Sequence, residues 1–377
     1  MTAELLLGAV RPFIDAGEVP GAVVGFLRDS QTSLGAAGSI GLGGGGSLTV
    51  DALMRISSNT KPMVAVLALS LMEEGVLALA DPVERFVPEL ADRRVLRRLD
   101  GPLEDTVPAE RAVTVEDLLT MRLGFGFVFE ADCAAVGAAA QAGLGIGPPD
   151  PSVPLSPDAW IERFAKLPLL EQPGTVWRYD LAYAVLGVVL ARAGGRPLYE
   201  LLRDRLFEPL GMTDTAFVAP SGRLPPSFAA GDSGLVVFDA AADSRWSVPP
   251  AFPDARGGLV STAGDLLRFA GALLDGGEGI VSPATVLAMT TDRLTPQQRS
   301  AASAQMFLQG SGWGYGVQIV PAENGSPARY GWGGGLGTLW YSWPDHGAAA
   351  VLLTQVLPPS EELISSFISR AEHVLTT

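Results

Sequence analysis

A serine and a lysine lie three positions apart in the stretch "SNTK", residues 58–61, just before an apolar run. Residues with this spacing are neighbours on a helix, so the Lys61 amine can reach the Ser58 hydroxyl. Pro62 has no N–H and suits the first turn of a helix, where the peptide dipoles help to stabilise an anion beside Ser58. The stretch therefore predicts a nucleophilic serine with a neighbouring base. In the alternative interpretation, Ser57 or Ser58 only caps the helix and Lys61 is solvated.

Two further stretches bear on the same chemistry. They are "WRYDLAYAVLG", residues 177–187, and "YGWGGGLGTLW", residues 330–340. Taken separately, Tyr179 is equally well explained as a core or rim tyrosine, and the glycine run as a close approach between strands. The spacing of Ser58 and Lys61 is not specific by itself either. The inference therefore depends on the three stretches occurring together.

Together these stretches resemble the motifs of the serine β-lactamase and penicillin-binding-protein superfamily. "SNTKPM" is similar to its Ser-x-x-Lys motif, "WRYDLAYAVLG" to its tyrosine motif, and "GWGGGLGT" to the Trp-Gly-Gly form of its third motif. Supporting stretches such as "TVEDLLTMRLGF", "PLGMTDTAF" and "GGLVSTAGDLLRFAGALLDGGE" extend the likeness over nearly the whole chain. Within the superfamily, the chain most resembles the family VIII carboxylesterases of the class C β-lactamase-like branch.

The resemblance implies a role for each motif residue. Ser58 becomes the nucleophile, Lys61 its partner, and Tyr179 the general base or proton shuttle. Either a neutral lysine or a tyrosinate near a cation can deprotonate a hydroxyl, and the sequence leaves both open. The backbone N–H groups of Ser58 and Gly335 become the oxyanion hole, because the glycines before Gly335 let the backbone approach a substrate carbonyl closely.

Two departures from the lactamase pattern bear on the substrate. Leu181 stands where those enzymes often have an asparagine, and Trp332-Gly333-Gly334 stands where they have Lys-Thr-Gly. The missing amide and cation would contact a lactam side chain and its carboxylate, so their loss favours neutral acyl substrates. We expect Leu181, Trp332 and the two glycines to line the substrate site. Asp180 is expected to interact with Lys61 or a nearby arginine, mainly in a structural role.

Aromatic residues alternate after "TMRLG", where the resemblance puts one wall of the active-site cleft. They are Phe125, Phe127 and Phe129. Core packing is one explanation, and substrate contact by Phe125 or Phe127 is the other. We include Phe125 and Phe127 among the predicted substrate-binding residues.

The pattern of apolar residues indicates the elements that hold these motifs. An opening helix is followed by the strands "GAVVGFL" and "LMRIS", and the middle of the chain is mainly helical. Strands return in "GWGYGVQIV", "ARYGWGGGLGTLWYSW" and "GAAAVLLTQV", and "SEELISSFISRAEHVL" closes the chain as a helix with Ser360 as a plausible cap. This order predicts an α+β fold of the β-lactamase/transpeptidase type, in which an antiparallel sheet flanked by helices is built from both termini.

The predicted domains follow from this order. Residues 1–76 and 213–377 form a lobe with the sheet, residues 77–212 form a mainly helical lobe, and the active site lies between them. The Ala, Gly and Pro-rich residues 134–154 are too long for a simple connector. They are either a lid or a mobile surface loop, and the lack of chemically distinctive residues favours the loop.

Composition excludes several classes of protein. The 377 residues are 47% hydrophobic, enough for a large core, and the net charge of −15 argues against a nucleic-acid partner. The N-terminus lacks a basic leader, and the apolar runs are too short to span a bilayer, so we expect a cytoplasmic protein without a membrane partner. Cys133 is the only cysteine, which excludes an intramolecular disulfide, and packing is its expected role.

Other enzyme classes fit less well. The Gly-x-Ser-x-Gly elbow of α/β-hydrolases is absent, and two histidines are too few for a His-based metal site. We expect no cofactor and no metal. The prediction is a serine carboxylesterase that acts on small-molecule esters of small or medium acyl groups through an acyl-enzyme on Ser58. The alternatives are a β-lactam or D-amino-acid peptide hydrolase, an acyltransferase, and, least favoured, a non-catalytic binding protein; the sequence does not indicate the oligomeric state.

Overall fold

The structure, a computed structural model, describes residues 2–220, 222–232, 234–322 and 327–376. Its α-helices are α1 (Thr2–Asp15), α2 (Thr60–Glu73), α3 (Val115–Leu119), α4 (Ala134–Gln141), α5 (Pro157–Ala165), α6 (Leu181–Ala193), α7 (Leu198–Leu202), α8 (Ala263–Leu274), α9 (Pro283–Met289), α10 (Ala302–Leu308) and α11 (Glu361–Thr376). A π-helical turn, Arg203–Phe207, continues α7.

The strands are β1 (Gly21–Arg28), β2 (Gln31–Gly41), β3 (Gly44–Ser47), β4 (Met54–Arg55), β5 (Arg94–Leu96), β6 (Thr106–Pro108), β7 (Ser227–Gly231), β8 (Gly234–Asp239), β9 (Val260–Ser261), β10 (Gly312–Trp313), β11 (Gln318–Pro321), β12 (Pro327–Gly334), β13 (Thr338–Trp343), β14 (Ala348–Leu353) and β15 (Val356–Leu357). Eight of them form one antiparallel sheet in the order β10-β11-β12-β13-β14-β1-β2-β3. The N-terminal and C-terminal strands meet where β1 pairs with β14, which confirms the predicted fold.

The central strands are apolar on both faces because helices cover both. In β1, Val23 and Leu27 belong to one core, and Val24 and Phe26 belong to the other. This alternation follows from the two-residue period of a strand. Helices α1 and α11 pack together on the face of Val24, and α8 covers the opposite face, where Gly25 lies against Leu267. The sheet is therefore the middle layer of three.

Two largely buried helices begin at the main motifs. Helix α2 is buried from Thr60 to Leu71, and α6 is buried from Leu181 to Leu190. Both are apolar around their whole circumference, as expected of helices inside a core, and they pack against each other. Their N-terminal ends bring the segments around Ser58 and Tyr179 together.

Residues 77–212 contain helices α3 to α7 and the short pair β5–β6, and the division into two lobes stays a prediction. The structure corrects the favoured interpretation of residues 134–154 as a mobile surface loop. They begin with helix α4, whose Ala135 and Ala139 are fully buried, and residues 147–149 line the cleft described below. The small side chains of α4 let the helix pack closely against the core. A composition rich in Ala and Gly does not by itself distinguish such a helix from a loop.

The last helix begins as expected. The Ser360 hydroxyl accepts a hydrogen bond from the Leu363 N–H at 3.3 Å, just before α11. No individual helix of the described residues is long and apolar enough to cross a membrane; by length and composition alone, the bent pair Leu181–Ala193 and Leu198–Phe207 meets the criterion. Nor does any group of three His, Cys, Asp or Glu side chains in these residues have an arrangement that could hold a metal ion.

Candidate active site

Ser58 lies in a tight turn and not in the α-helix itself. A 3₁₀ turn spans Ser57–Asn59, and α2 begins at Thr60 without a side-chain cap. The interpretation of Ser57 or Ser58 as a helix cap is therefore wrong. Ser57 has a φ of +50°, an uncommon conformation for a residue with a side chain, and such strain is often found at functional sites.

The turn is fixed to the neighbouring sheet by hydrogen bonds. The Asn59 amide donates to the Thr338 hydroxyl at 3.0 Å, and that hydroxyl donates to the Ile56 carbonyl at 2.8 Å. A side chain at Gly334, at the end of β12, would come within 2.5 Å of the Ile56 carbonyl oxygen. Glycine is required there because β12 passes so close to the turn.

Two groups that can exchange a proton contact the Ser58 hydroxyl. Lys61 Nζ donates to Ser58 Oγ at 3.0 Å, and Tyr179 Oη lies 2.8 Å from Ser58 Oγ. The structure thus brings Tyr179 into contact with Ser58 and Lys61, although Tyr179 lies 121 positions after Ser58 in the sequence. Their spacing is that of a nucleophile in direct contact with candidate bases.

Lys61 is fully buried, which contradicts its interpretation as a solvated charge. Its Nζ lies 2.7 Å from Asp180 Oδ1 and 2.7 Å from the Arg256 carbonyl oxygen, and 4.7 Å from the centre of the Tyr179 ring. Burial alone would lower the pKa of Lys61, but the charge of Asp180 and the oxygen of Tyr179 outweigh burial and raise this pKa above its ordinary value.

Tyr179 is held in place by aromatic neighbours. Its side chain is 5% exposed, and the Trp332 indole N–H donates to Tyr179 Oη at 2.8 Å. The ring of Phe307 lies 4.3 Å from that of Tyr179, centre to centre, and the ring of Phe127 lies 5.9 Å away. The phenol oxygen is therefore fixed between the serine and an indole donor.

Asp180 contacts both of the partners considered from the sequence. Its Oδ1 contacts Lys61, and its Oδ2 lies 3.3 Å from Nη1 of Arg256. Arg256 is also paired with Asp254 at 2.7 Å, and it donates to the Gly145 carbonyl at 2.8 Å. Opposite charges therefore follow one another in a buried row behind the nucleophile.

The site opens into a cleft of about 920 Å³. Its lining includes Ser58, Phe127, Tyr179, Met306, Phe307, Trp332, Gly333, Gly334 and Gly335. Gly335 thus lines the same cleft as Ser58, and the use of its N–H as an oxyanion donor stays a prediction. Of the described residues that line the cleft, the cationic ones are Arg256 and Arg329, and both are paired with carboxylates.

Two predicted substrate-binding residues lie in the core. Leu181 is 1% exposed in the first turn of α6, and Phe125 is fully buried against Phe164, with ring centres 5.3 Å apart. Neither lines the cleft, so the structure corrects their assignment as substrate contacts. Phe127 does line the cleft, whereas Phe129 is 48% exposed outside it.

Sequence reasoning missed other residues at the site. Met306 and Phe307 come from the short helix α10 and form part of the cleft wall. Arg256 lies 76 positions from Asp180 in sequence, and no local pattern links the two. The stretch "PDARGG" contained a weak signal, because an Asp and an Arg two apart in an apolar setting must be paired if they are buried.

Comparisons with known proteins show the family and the fold of the chain. The family model described as beta-lactamase matches residues 7–374. The chain is 35% identical to Protein Rv1367c of Mycobacterium tuberculosis, with 93% of this chain and 89% of that protein covered. It is 31% identical to Esterase EstB of Burkholderia gladioli, with 81% and 77% covered. The solved structure of EstCE1, described as a hydrolase with promiscuous acyltransferase activity, has a TM-score of 0.81 at 22% identity, with 98% of each chain covered.

Proposed function

The chain belongs to the beta-lactamase family of serine hydrolases and acyltransferases, and we propose that it is a carboxylesterase of the family VIII type. The observation that carries this proposal is the position of Ser58 Oγ, in contact with Lys61 Nζ and Tyr179 Oη in the lining of an open cleft. Such an arrangement supports attack by Ser58 on an acyl carbon.

The reaction divides into two halves. In the first, Ser58 Oγ attacks the ester carbonyl while its proton passes to the adjacent base, and the N–H groups of Ser58 and Gly335 stabilise the oxyanion. The alcohol leaves with that proton, and the acyl group stays on Ser58. In the second half, water takes the place of the alcohol and releases the acid by the same steps in reverse.

The lining of the cleft supports a neutral ester as the substrate. Arg256 and Arg329 are paired with carboxylates, and the Trp332 N–H is used by Tyr179. A substrate carboxylate would lose its hydration here without gaining a partner, which is costly. The similarity to Esterase EstB points to the same class of substrate.

The experiment that tests the nucleophile is labelling with a fluorophosphonate, followed by mass spectrometry of the labelled peptide. We expect the label on Ser58, and we expect Ser58→Ala to lose both label and ester turnover while it stays folded. Ser57→Ala, in the same turn, is the matched control and should still be labelled. Full esterase activity in Ser58→Ala would place the nucleophile elsewhere.

A second experiment separates the ester from the alternatives. We expect kcat/KM for p-nitrophenyl butyrate to exceed that for ring opening of a chromogenic cephalosporin by about 10³ or more, a difference of about 4 kcal/mol in transition-state binding. Products are identified by mass, since cleavage of an ester side chain on the cephalosporin also counts as esterase activity. Ring opening as fast as aryl ester cleavage would favour a lactamase, and ester product formed only with an added acceptor alcohol would favour a transferase.

A further inference from the structure

The cleft extends beyond the catalytic residues, over the sheet face that α11 covers. Residues of α11, among them Ile368, line the same cavity as Ser58. A Cβ atom at Gly335 would lie 3.5 Å from Leu357 Cδ1, in β15, and 3.9 Å from Ser57 Oγ. Leu357 also lines the cavity, so the turn that holds the nucleophile and the part of the cleft under α11 are continuous.

Strand β12 gives this part of the cleft a floor without side chains. Gly331 lies opposite Tyr341, and Gly333 lies opposite Leu339, in the pairing of β12 with β13. Residues directly opposite each other share one face of a sheet, and Tyr341 and Leu339 belong to the core on which α1 and α11 pack. The two glycines therefore face α11 and leave that side of β12 open.

Apolar side chains surround this floor. Ile364 and Ile368 are four residues apart in α11, so they lie on one face of the helix, and both are partly buried against the core of the sheet. On the other side, Val320 of β11 pairs with Arg329 of β12 and faces the same way. We call this space the α11 groove, and it is lined by Val320, Gly333, Leu339, Tyr341, Ile364 and Ile368.

The polar groups beside the α11 groove are bonded within the protein. Tyr341 Oη donates to Gln318 Oε1, and Gln318 Nε2 donates to Ser311 Oγ at 2.6 Å. At the end of the groove far from Ser58, Arg329 is paired with a carboxylate of α11, that of Glu372. A polar group of a substrate would lose its hydration here and compete with these bonds, so the groove favours an apolar chain.

The groove has the length of a medium alkyl chain. Gly333 and Arg329 lie four positions apart in β12, which is about 13 Å at roughly 3.3 Å per residue. An extended chain with C–C bonds of about 1.5 Å covers this distance with roughly ten carbons. The whole cleft, at about 920 Å³, also lies in the upper part of the range of pockets that hold drug-sized ligands, and it is larger than an acetate or butyrate ester requires.

We infer that the α11 groove binds an unbranched alkyl chain of the ester, of about eight to ten carbons, and that Ile364 and Ile368 set this chain-length preference. This inference rests on the proposed esterase function. Each methylene that leaves water for the groove should raise kcat/KM by about 2-fold to 4-fold, until the chain reaches Arg329. Either the acid or the alcohol of an ester can provide such a chain, and the experiment separates the two.

The experiment compares two series of esters at concentrations below their micelle-forming limits. In the first, the acyl chain of a p-nitrophenyl ester grows from acetate to dodecanoate; in the second, the alcohol of an alkyl acetate grows from methyl to dodecyl. We expect kcat/KM to rise with chain length in one series and to stop rising at about eight to ten carbons. The series that shows the rise identifies the part of the ester in the groove. No rise in either series would overturn the inference.

Variants of α11 connect the preference to the groove. Ile368→Trp fills the groove and should lower the ratio of kcat/KM for the decyl-length ester over the shortest ester by about 10-fold or more. Ile14→Trp is the matched control, because Ile14 of α1 is also partly buried against the same core and is not in the described lining of the cleft. It should leave the ratio unchanged. An unchanged ratio in Ile368→Trp, or an equal fall in both variants, would overturn the inference.

A second variant keeps the test informative if Ile368→Trp fails to fold, which urea unfolding reports. Ile368→Ala widens the groove, so it should lower kcat/KM for the decyl-length ester by about 3-fold or more and improve the relative rate of chains branched near their end. The same selectivity as the wild type would contradict a groove at this place.

The failure of this inference is distinguishable from that of the proposed function. If fluorophosphonate and esters do not acylate Ser58 in the wild type, the proposed function fails. Calorimetric titration of Ser58→Ala with unreactive 2-alkanones of increasing length then still reports whether the groove binds alkyl chains. If esters are cleaved at Ser58 but Ile368→Trp and Ile368→Ala keep the chain-length profile of the wild type, the proposed function stands and the role of the α11 groove is refuted.

Discussion

The hydrogen bond from Trp332 to Tyr179 gives a sharp test of how the site activates its serine. Trp332 is 5% exposed, and its indole N–H lies 2.8 Å from Tyr179 Oη. Its ring also packs edge to face on Trp313, with centres 4.8 Å apart. Trp332→Phe keeps an aromatic ring in this position and removes the donor.

The expected size of the effect depends on the charge of Tyr179. A hydrogen bond between neutral groups contributes about 0.5–1.5 kcal/mol, and one to a charged group about 1.5–3 kcal/mol. If Tyr179 carries negative charge when Ser58 is deprotonated, the loss of the Trp332 donor lowers kcat by about 10-fold to 10²-fold. If Tyr179 stays neutral throughout, the loss is only about 2-fold to 10-fold. The smaller ring should also lower the free energy of unfolding by about 1–3 kcal/mol.

The assay is kcat and KM for p-nitrophenyl butyrate as a function of pH, with urea unfolding of each variant. Trp313→Phe is the matched control, because Trp313 is also a buried indole and donates to the Leu119 carbonyl at 3.2 Å, not to Tyr179. Trp332→Phe should lower kcat with little change in KM, and Trp313→Phe should lower mainly stability. An equal loss of kcat in both variants would show that packing, and not the hydrogen bond, is responsible.

Three further predictions concern the base, the cleft wall and acid stability. Lys61→Ala and Tyr179→Phe should each lower kcat by about 10²-fold or more. The double variant should lose much less than the product of the two single losses, because both groups act on one proton. Multiplicative losses in single-turnover assays would contradict this. Phe307→Ala should raise the ratio of kcat/KM for octanoate over acetate aryl esters, because Phe307 lines the cleft 4.3 Å from the Tyr179 ring; an unchanged ratio would place the acyl chain elsewhere. Burial raises the pKa of Glu130, but hydrogen bonds from Arg178 outweigh burial and hold this pKa at about 2, against an ordinary 4.5. The stability from this partly exposed pair is therefore present above about pH 4.5 and lost as the pH falls towards 2, so Glu130→Gln should cost about 1 kcal/mol at pH 7 and nothing near pH 2 in urea titrations.

The fold could be predicted from the sequence because its signals are local. The strands of the sheet and the helices that cover it each have the apolar period of their own type, and the termini of the chain carry the strands. The resemblance to the β-lactamase superfamily is confirmed by the family model, which matches residues 7–374. The motif residues Ser58, Lys61 and Tyr179 meet because each lies near the start of a buried helix, α2 or α6, and these two helices pack against each other.

The incorrect predictions of substrate contact concern segments in which apolar residues show no helical or strand periodicity. Helix α6 is apolar on all sides, so nothing in it showed that Leu181 faces the core and not the cleft. The alternation of Phe125 and Phe127 resembles a strand, which would place both side chains on one face. The chain there is irregular, however, and Gly124 and Gly126 turn it sharply against residues 171 and 179, so Phe125 points inward while Phe127 reaches the cleft.

The pairing of charges also lies outside sequence reasoning. Lys61 was predicted to reach Ser58, but its burial and its pairing with Asp180 depend on how α2 and α6 pack together. Arg256 joins this pair from a distant part of the chain, and its carbonyl as well as its side chain takes part. Such contacts are set by tertiary structure, and a single sequence contains no pattern that links residues so far apart.

The selectivity that we propose for neutral esters depends on which hydrogen-bond donors of the site already have a partner within the protein. The sequence comparison treated Trp332 as an apolar replacement for a cation, but the structure shows that its N–H is polar, directed inward and bound to Tyr179. A lysine in this position would offer a charge to the substrate, whereas the indole gives its single donor to the tyrosine and presents carbon atoms to the cleft. Arg256 is likewise held by Asp180 and Asp254. The polar groups around Ser58 thus form hydrogen bonds with one another, and under the proposed function an ester needs from the cleft only the nucleophile, the oxyanion donors and apolar contact.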